Sequence, residues 1–212
     1  MLVDIHTHSH RSTDDSSVLR NLTFDEAEAF FKSDKQAFCS VGIHPWHADT
    51  FSEELLSKLE IWAYDNRFTA VGECGLDKNS NAAFEEQLSI FEKQITISEK
   101  SSKPLIIHCV GYFNELFALK KKWNPTQLWI IHGFRGKPEL AAQVLKTGCA
   151  LSYGEHFNAA SVQITPPEKL FVETDESELN ISEIYQHIAN AKACNMEDLS
   201  AGMHLLNKMS QR

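Results

Sequence analysis

The sequence predicts an α/β fold, a (β/α)8 TIM-barrel-like domain over residues 1–212, and three observations carry that reading. Eight short apolar runs lie near residues 2 to 8, 17 to 22, 36 to 43, 68 to 74, 104 to 109, 127 to 132, 148 to 153 and 170 to 175. Most are rich in Val, Ile and Leu without clean polar alternation, as expected of parallel strands covered by helices. Segments of helical period separate them. Five runs, VDIHTH, TAVGECGL, PLIIHC, LWIIHG and LFVETD, end in residues able to bind a divalent cation, and barrels of this class carry their sites at the C-terminal ends of their strands.

The first run ends in His6 and His8. Side chains of a strand alternate with period two, so both imidazoles point to one side and can reach one ion. About nine residues, Ser9 to Ser17, lead to the second run, SSVLRNL, the weakest of the eight. A crossover helix needs a dozen or more residues, so the first one is expected to be missing or shortened, distorting the barrel there. Thr23 with Glu26, and Thr50 with Glu53, each spell a capping box at the start of a helix. Between 82 and 101, Phe84, Leu88, Phe91 and Ile95 form an apolar stripe predicted to face the sheet. Pro138 suits a first helical position and Gly148 the residue after a helix end, bracketing ELAAQVLKT. Further helices are expected near 112 to 123, 181 to 194 and 197 to 209. With no linker, repeat or low-complexity tract, residues 1–212 read as a single domain.

A chain of 212 residues is shorter than the roughly 250 of a typical (β/α)8 barrel, so the barrel should be trimmed. Its 42% hydrophobic and 23% charged residues allow a sizeable core. The start, Met1-Leu-Val-Asp-Ile-His, does not resemble a signal peptide, and no apolar stretch approaches the roughly 20 residues of a membrane-spanning helix. A cytoplasmic protein with no membrane association and no obligate protein partner is expected. The five cysteines are scattered, with no CxxC pair, which argues against a disulfide framework or a structural zinc site. Alternation turns Cys74 and Cys109 away from Glu73 and His108 and toward the core. An excess of 29 acidic over 20 basic residues, net −9, weighs against binding along duplex DNA. A small or end-bound phosphoester remains compatible, because bound cations offset that repulsion locally.

Six residues at five strand ends, His6, His8, Glu73, His108, His132 and Asp175, supply the imidazoles and carboxylates that suit zinc, manganese or iron. Magnesium can be held where carboxylates and water complete the shell, so the identity of the ion stays open between Zn, Mg and Mn, with one or two ions per chain. One layout places His6, His8 and Asp175 around one ion and His108 and His132 around a second, with Glu73 bridging. Paired ions clamp attacking and leaving oxygens and acidify water toward neutrality. Asp175 and Glu73 are the candidate catalytic carboxylates, Asp175 orienting or deprotonating the water. His44, in VGIHPWH, and Arg135, in HGFRGKP, are candidate substrate contacts, the guanidinium through bidentate phosphate binding. His47 and Lys78 are weaker candidates, and Asp77 is expected to orient a loop or a ligand. His10, His156, His187 and His204 are read as structural.

The ordered motifs DIHTH, VGIHPWH, AVGECGLD, PLIIHC, IIHGFRG and FVETDES, spanning almost the whole chain, resemble those of the TatD-type metal-dependent hydrolases, the TatD-related deoxyribonucleases. The resemblance implies an amidohydrolase-like TIM barrel in which the six residues above are the metal ligands. It implies a phosphodiesterase acting on DNA ends or short single-stranded nucleic acid. Two alternatives are a carboxylic ester, lactone or amide hydrolase, and a metal-binding protein without turnover. The chain departs from the family at Gly75-Leu76-Asp77-Lys78, where GLDY is usual, at His132-Gly133-Phe134-Arg135-Gly136, where HCFSG is usual, and at Glu173-Thr174-Asp175-Glu176-Ser177, where ETDAP is usual. None of these changes removes a ligand.

Overall fold

A computed structural model describes residues 2–9, 16–35 and 37–210. In chain order the elements are β1 (Leu2–Thr7), β2 (Ser16–Asn21), α1 (Phe24–Phe31), β3 (Phe38–Val41), α2 (Glu53–Trp62), β4 (Phe68–Asp77), α3 (Phe84–Ser101), β5 (Leu105–Val110) and α4 (Phe113–Trp123). They continue with β6 (Trp129–Ile131), α5 (Pro138–Lys146), β7 (Ala150–Tyr153), α6 (Ala159–Ile164), β8 (Leu170–Val172), α7 (Ile181–Lys192) and α8 (Ala201–Ser210). The chain divides into two compact units, Met1–Arg20 with Ile130–Arg212, and Asn21–Trp129.

In the first unit, β6 pairs with β7 and β7 with β8, all parallel, in registers such as Ile131↔Leu151 and Tyr153↔Val172. β1 pairs in parallel with β2 through Val3↔Ser17 and Asp4↔Val18. The chain just beyond β8 joins β1, where Asp175 N–H donates to His6 O at 2.9 Å and His8 N–H donates to Asp175 O at 3.2 Å. These hydrogen bonds set Asp175 beside His6 and His8. The core of this unit is aliphatic and aromatic: Val3, Ile5, Ile130, Leu151, Tyr153, Phe171 and Ile184 are all buried. Two helices lock onto β1. The Tyr185 hydroxyl of α7 donates to Val3 O at 3.0 Å, and Gly202 of α8 packs so closely that a Cβ would stand 2.9 Å from Val3 Cβ.

In the second unit, β4 is the central strand, paired in parallel with β3 (Val41↔Val71) and β5 (Cys74↔Ile107, Gly75↔His108). All ten of its residues are buried. Gly75, at φ +139°, lies where a Cβ would meet His108 O at 2.0 Å, so only glycine lets β5 carry its histidine this close. The helix α3 covers β4 with Gln87, Ile90, Phe91, Gln94, Ile95 and Ser98. Its buried face is therefore rotated from the expected stripe, leaving Phe84 and Leu88 half-buried. The cause is polar. Gln94 accepts from Ile43 N–H at 2.7 Å and donates to Ile43 O at 3.0 Å. Gln87 accepts from Asp77 N–H at 2.8 Å and donates to Asp77 O at 3.1 Å. Two buried amides thus satisfy backbone groups where β3 and β4 open toward the functional side chains.

The expected elements are present with shifted ends, and β2, the weakest expectation, is a strand. β4 runs on to Asp77, β8 stops at Val172, and three residues later the backbone is left-handed at Asp175, φ +53°. The Thr23–Glu26 capping box forms, with both reciprocal bonds in place. The Thr50–Glu53 box does not. Residues Pro45–Thr50 make a 3-10 helix, Thr50 Oγ1 donates to His47 O, and Ser52 caps α2 by accepting from Leu55 N–H. The helix α6 was not expected from the sequence; Asn158 caps it. Residues 8–15 separate β1 from β2, and the expected loss or shortening of a crossover helix falls largely on residues 10–15, outside the described residues.

Candidate functional site

Each unit gathers its own set of candidate side chains. In the first, His6 is fully buried on β1, and its Nε2 lies 3.8 Å from Asp175 Oδ1. His8 Nε2 lies 3.7 Å from the same oxygen. Both separations exceed a hydrogen bond. They approach the spacing of roughly 3.3 Å between ligands that metal bonds of about 2.0–2.1 Å impose in a tetrahedron. The expected trio of His6, His8 and Asp175 is therefore together, and its donor atoms could hold one divalent ion. The geometry depends on Asp175 turning at φ +53°, a region that Asp tolerates better than most residues and that recurs at functional positions.

His132 follows β6, with its ring centroid 4.4 Å from that of His6. Its Nδ1 faces Glu173 Oε1 at 3.5 Å. Glu173 is fully buried and also accepts from Gly133 N–H and Ser152 Oγ. Burial opposes its charge, but His132, His6 and Ser152 outweigh it and hold the carboxyl below its ordinary range. Asp4, on the other hand, is pushed up to about 7 by burial, against hydrogen bonds from Thr174, whose Oγ1 donates at 2.6 Å. Neither carboxylate was picked out by sequence reasoning. The signal was present: Asp4 and Glu173 each stand two residues before a candidate ligand, on the same side of an extended chain.

Beside Asp175 a cavity of about 480 Å³ is lined by Arg135, Glu155, His156, Glu173, Glu176 and Ser177, among others. Arg135, a candidate phosphate contact, is thus on its wall. His156, read from the sequence as structural, is there too, because the turn after β7 opens into the cavity. Ser177 Oγ donates to Glu155 at 2.6 Å, tying the chain after β8 to that turn. A volume of this size would admit a nucleotide.

In the second unit, Glu73 and His108 come together with His44. Glu73 Oε1 lies 2.8 Å from His108 Nδ1 and 3.2 Å from His44 Nε2. Asn21 positions the carboxylate's backbone by accepting from Glu73 N–H at 2.9 Å. His108 Nε2 lies 2.9 Å from Asp77 Oδ2. In a neutral ring one nitrogen carries the proton, so donation from Nε2 to Asp77 leaves the Nδ1 lone pair directed at Glu73, an arrangement that a cation between them would relieve. The donor set of the second unit fits a metal on this ground. Burial raises Asp77, yet hydrogen bonds from Asn79 N–H, His108 and Trp46 outweigh it and hold the carboxyl below its ordinary range.

His44 is different. Its Nδ1 accepts from Trp46 N–H at 3.1 Å, so in the neutral ring the proton is on Nε2, which faces Glu73. It is set up as a hydrogen-bond donor rather than a ligand. His47 lies in the same 3-10 helix, its ring 6.2 Å from His44, and Lys78 is exposed. Cys74 is buried, as expected, whereas Cys109 is only half-buried; none of the five cysteines is in a disulfide. His10 lies outside the described residues.

The family model of TatD related DNases matches residues 15–202. The chain is 30% identical over 147 residues to a 3'-5' ssDNA/RNA exonuclease TatD of Erwinia tasmaniensis, covering 64% of this chain and 56% of that protein. It is 28% identical over 162 residues to the protein of the same description in Cronobacter turicensis, covering 71% and 61%. The chain thus spans less than two thirds of the length of these curated relatives. Among solved structures, the TatD homologue YJJV of Escherichia coli K12 superposes with a TM-score of 0.81 at 18% identity, over 97% of this chain and 95% of that one. A TatD family hydrolase of Entamoeba histolytica superposes with a TM-score of 0.74 at 16% identity, over 98% and 97%. At these identities the likeness establishes the fold, the (β/α)8 TIM-barrel class that the sequence predicted.

Proposed function

Because the chain belongs to the TatD-related DNase family, we propose that it is a metal-dependent hydrolase of ester bonds, a phosphodiesterase acting at the ends of single-stranded DNA or RNA. The observation that carries this reading is the convergence of His6 and His8 on one oxygen of Asp175, at 3.8 and 3.7 Å. We assign His6, His8, Glu73, His108, His132 and Asp175 as ligands of one or two divalent ions, Zn, Mg or Mn. Such ions, when bound, would neutralise charge on the phosphodiester and acidify a water. The remaining work belongs to the chain's own groups. Asp175 accepts the proton of the attacking water, and Glu73 fixes its ligand neighbours. Arg135 holds a phosphate through its guanidinium fork. His44 donates its Nε2 proton toward the substrate's oxygens or to Glu73. The exonuclease descriptions of the relatives support an end-bound substrate, and the cavity beside Asp175 has room for one nucleotide. We place the protein in the cytoplasm.

The test is the metal content of the purified protein, followed by nucleotide release from short single-stranded DNA with Mg²⁺, Mn²⁺ or Zn²⁺ added. Bound metal and metal-dependent release are expected. Asp175→Ala and Glu73→Ala should each lower release by about a hundred- to a thousand-fold, given the size of the electrostatic terms removed, while the fold persists. Wild-type release in either variant would sink the assignment.

A further inference from the structure

We propose that Trp46 is the stacking platform for a nucleobase of the substrate, holding one base against its indole while a neighbouring phosphate lies toward His44 and Glu73. The inference rests on the nuclease reading above. Trp46 is 57% exposed, whereas Trp129 is fully buried and Trp62 and Trp123 are half-buried. Leaving an indole in water forgoes much of its burial energy, and a single exposed apolar side chain would need no explanation if it were loose. This one is held. Pro45 sets the start of its 3-10 helix, its backbone N–H donates to His44 Nδ1 at 3.1 Å, and its Nε1–H donates to Asp77 Oδ2 at 2.7 Å.

The Asp77 side chain is only 2% exposed. The polar edge of the indole is therefore turned inward and satisfied, and the surface left to solvent is the carbon face and rim of the ring. That surface stands beside the functional groups. The ring centroid lies 5.1 Å from His44 and 6.3 Å from His108. A rigid aromatic face next to a phosphodiester site is what every base can use, because stacking requires only a π surface. Charge favours it. With 29 acidic against 20 basic residues, the chain gains little from phosphate neutralisation along a strand beyond the site itself, so a contact that does not depend on charge adds to affinity.

The experiment uses the full chain with Mg²⁺ and a 5'-labelled, phosphorothioate-linked tetrathymidylate that resists turnover. Binding is read by anisotropy for the wild type, Trp46→Phe and Trp46→Ala, and again with an abasic residue at each position in turn. Stacking predicts that Trp46→Ala weakens binding on the order of ten-fold while Trp46→Phe stays within a few-fold of wild type. It further predicts that one abasic position weakens the wild type to a similar degree and costs Trp46→Ala nothing more. Quenching of the wild-type tryptophan emission on binding, absent when that position is abasic, gives a readout that requires no variant to fold. Equal losses from Trp46→Ala on base-bearing and abasic strands would mean a structural role and overturn the proposal. Intact binding by Trp46→Ala overturns stacking alone, leaving the nuclease reading standing. No wild-type binding, together with no nucleotide release from unmodified strands, overturns both.

Discussion

Asp77 Oδ2 meets two rings at once, the Trp46 indole at 2.7 Å and the His108 imidazole at 2.9 Å. A carboxylate in this position selects the tautomer of the histidine and raises the basicity of the other nitrogen, here Nδ1, which faces Glu73. Replacing it with asparagine keeps the shape and removes the charge. Asp77→Asn should therefore weaken metal binding about 10- to 100-fold, read by calorimetric titration with Mn²⁺, with the secondary structure unchanged. Unaltered affinity would show that His108 is not a ligand through Nδ1. Glu173 stands in a comparable relation to His132, with the difference that it is fully buried and shares its oxygens with Ser152 and Gly133.

At the scale of elements, α3 does more than cover β4. Its glutamines occupy positions where an amphipathic helix would carry leucine, and each closes two hydrogen bonds to one backbone residue of a neighbouring segment. Gln94→Leu would fill the volume and leave Ile43 N–H and O without those partners, one residue before His44. A loss of about 1–3 kcal/mol for each buried group left unsatisfied follows, measurable as a lower urea midpoint at unchanged m-value. A stability equal to wild type would show that Ile43 finds water instead. Arg67 performs a similar service for α1, donating to Phe30 O, Phe31 O and Ser33 O, carbonyls at and just beyond its C-terminal end, while pairing with Asp65.

For the whole molecule, two buried phenols contribute to a loss of stability at alkaline pH. Burial pushes both Tyr153 and Tyr185 up to about 12, against hydrogen bonds that stabilise the ionised form. An unfolded tyrosine ionises near 10. Between pH 10 and 12 the unfolded chain therefore loses protons that the folded chain keeps, and stability falls as pH rises. Each phenol contributes a slope of about 1.4 kcal/mol per pH unit in that window. Tyr185→Phe should be less stable near neutrality, having lost its bond to Val3, yet decline more shallowly above pH 10. Parallel curves of unfolding free energy against pH for the two proteins would contradict this.

The order of apolar runs and the HxH spacing at His6 and His8 were legible in one dimension, because strand period and helix period are local properties of a chain. The same holds for the Thr23–Glu26 box, whose partners are three residues apart. The strand ends were not legible, since β4 runs four residues past Glu73 and β8 stops three residues before Asp175. Tertiary structure alone decided the rest. Whether Ser52 or Thr50 caps α2 depends on a 3-10 turn that ends at Thr50. The burial of Gln87 and Gln94 depends on which backbone groups lie opposite them. His44 became a donor rather than a ligand through a bond to Trp46 N–H, and the exposure of Trp46 itself was settled by Asp77, 31 residues away. Polar groups in a folded chain take their roles from partners distant in sequence, and a hydrogen bond across such distances leaves no periodic trace to read.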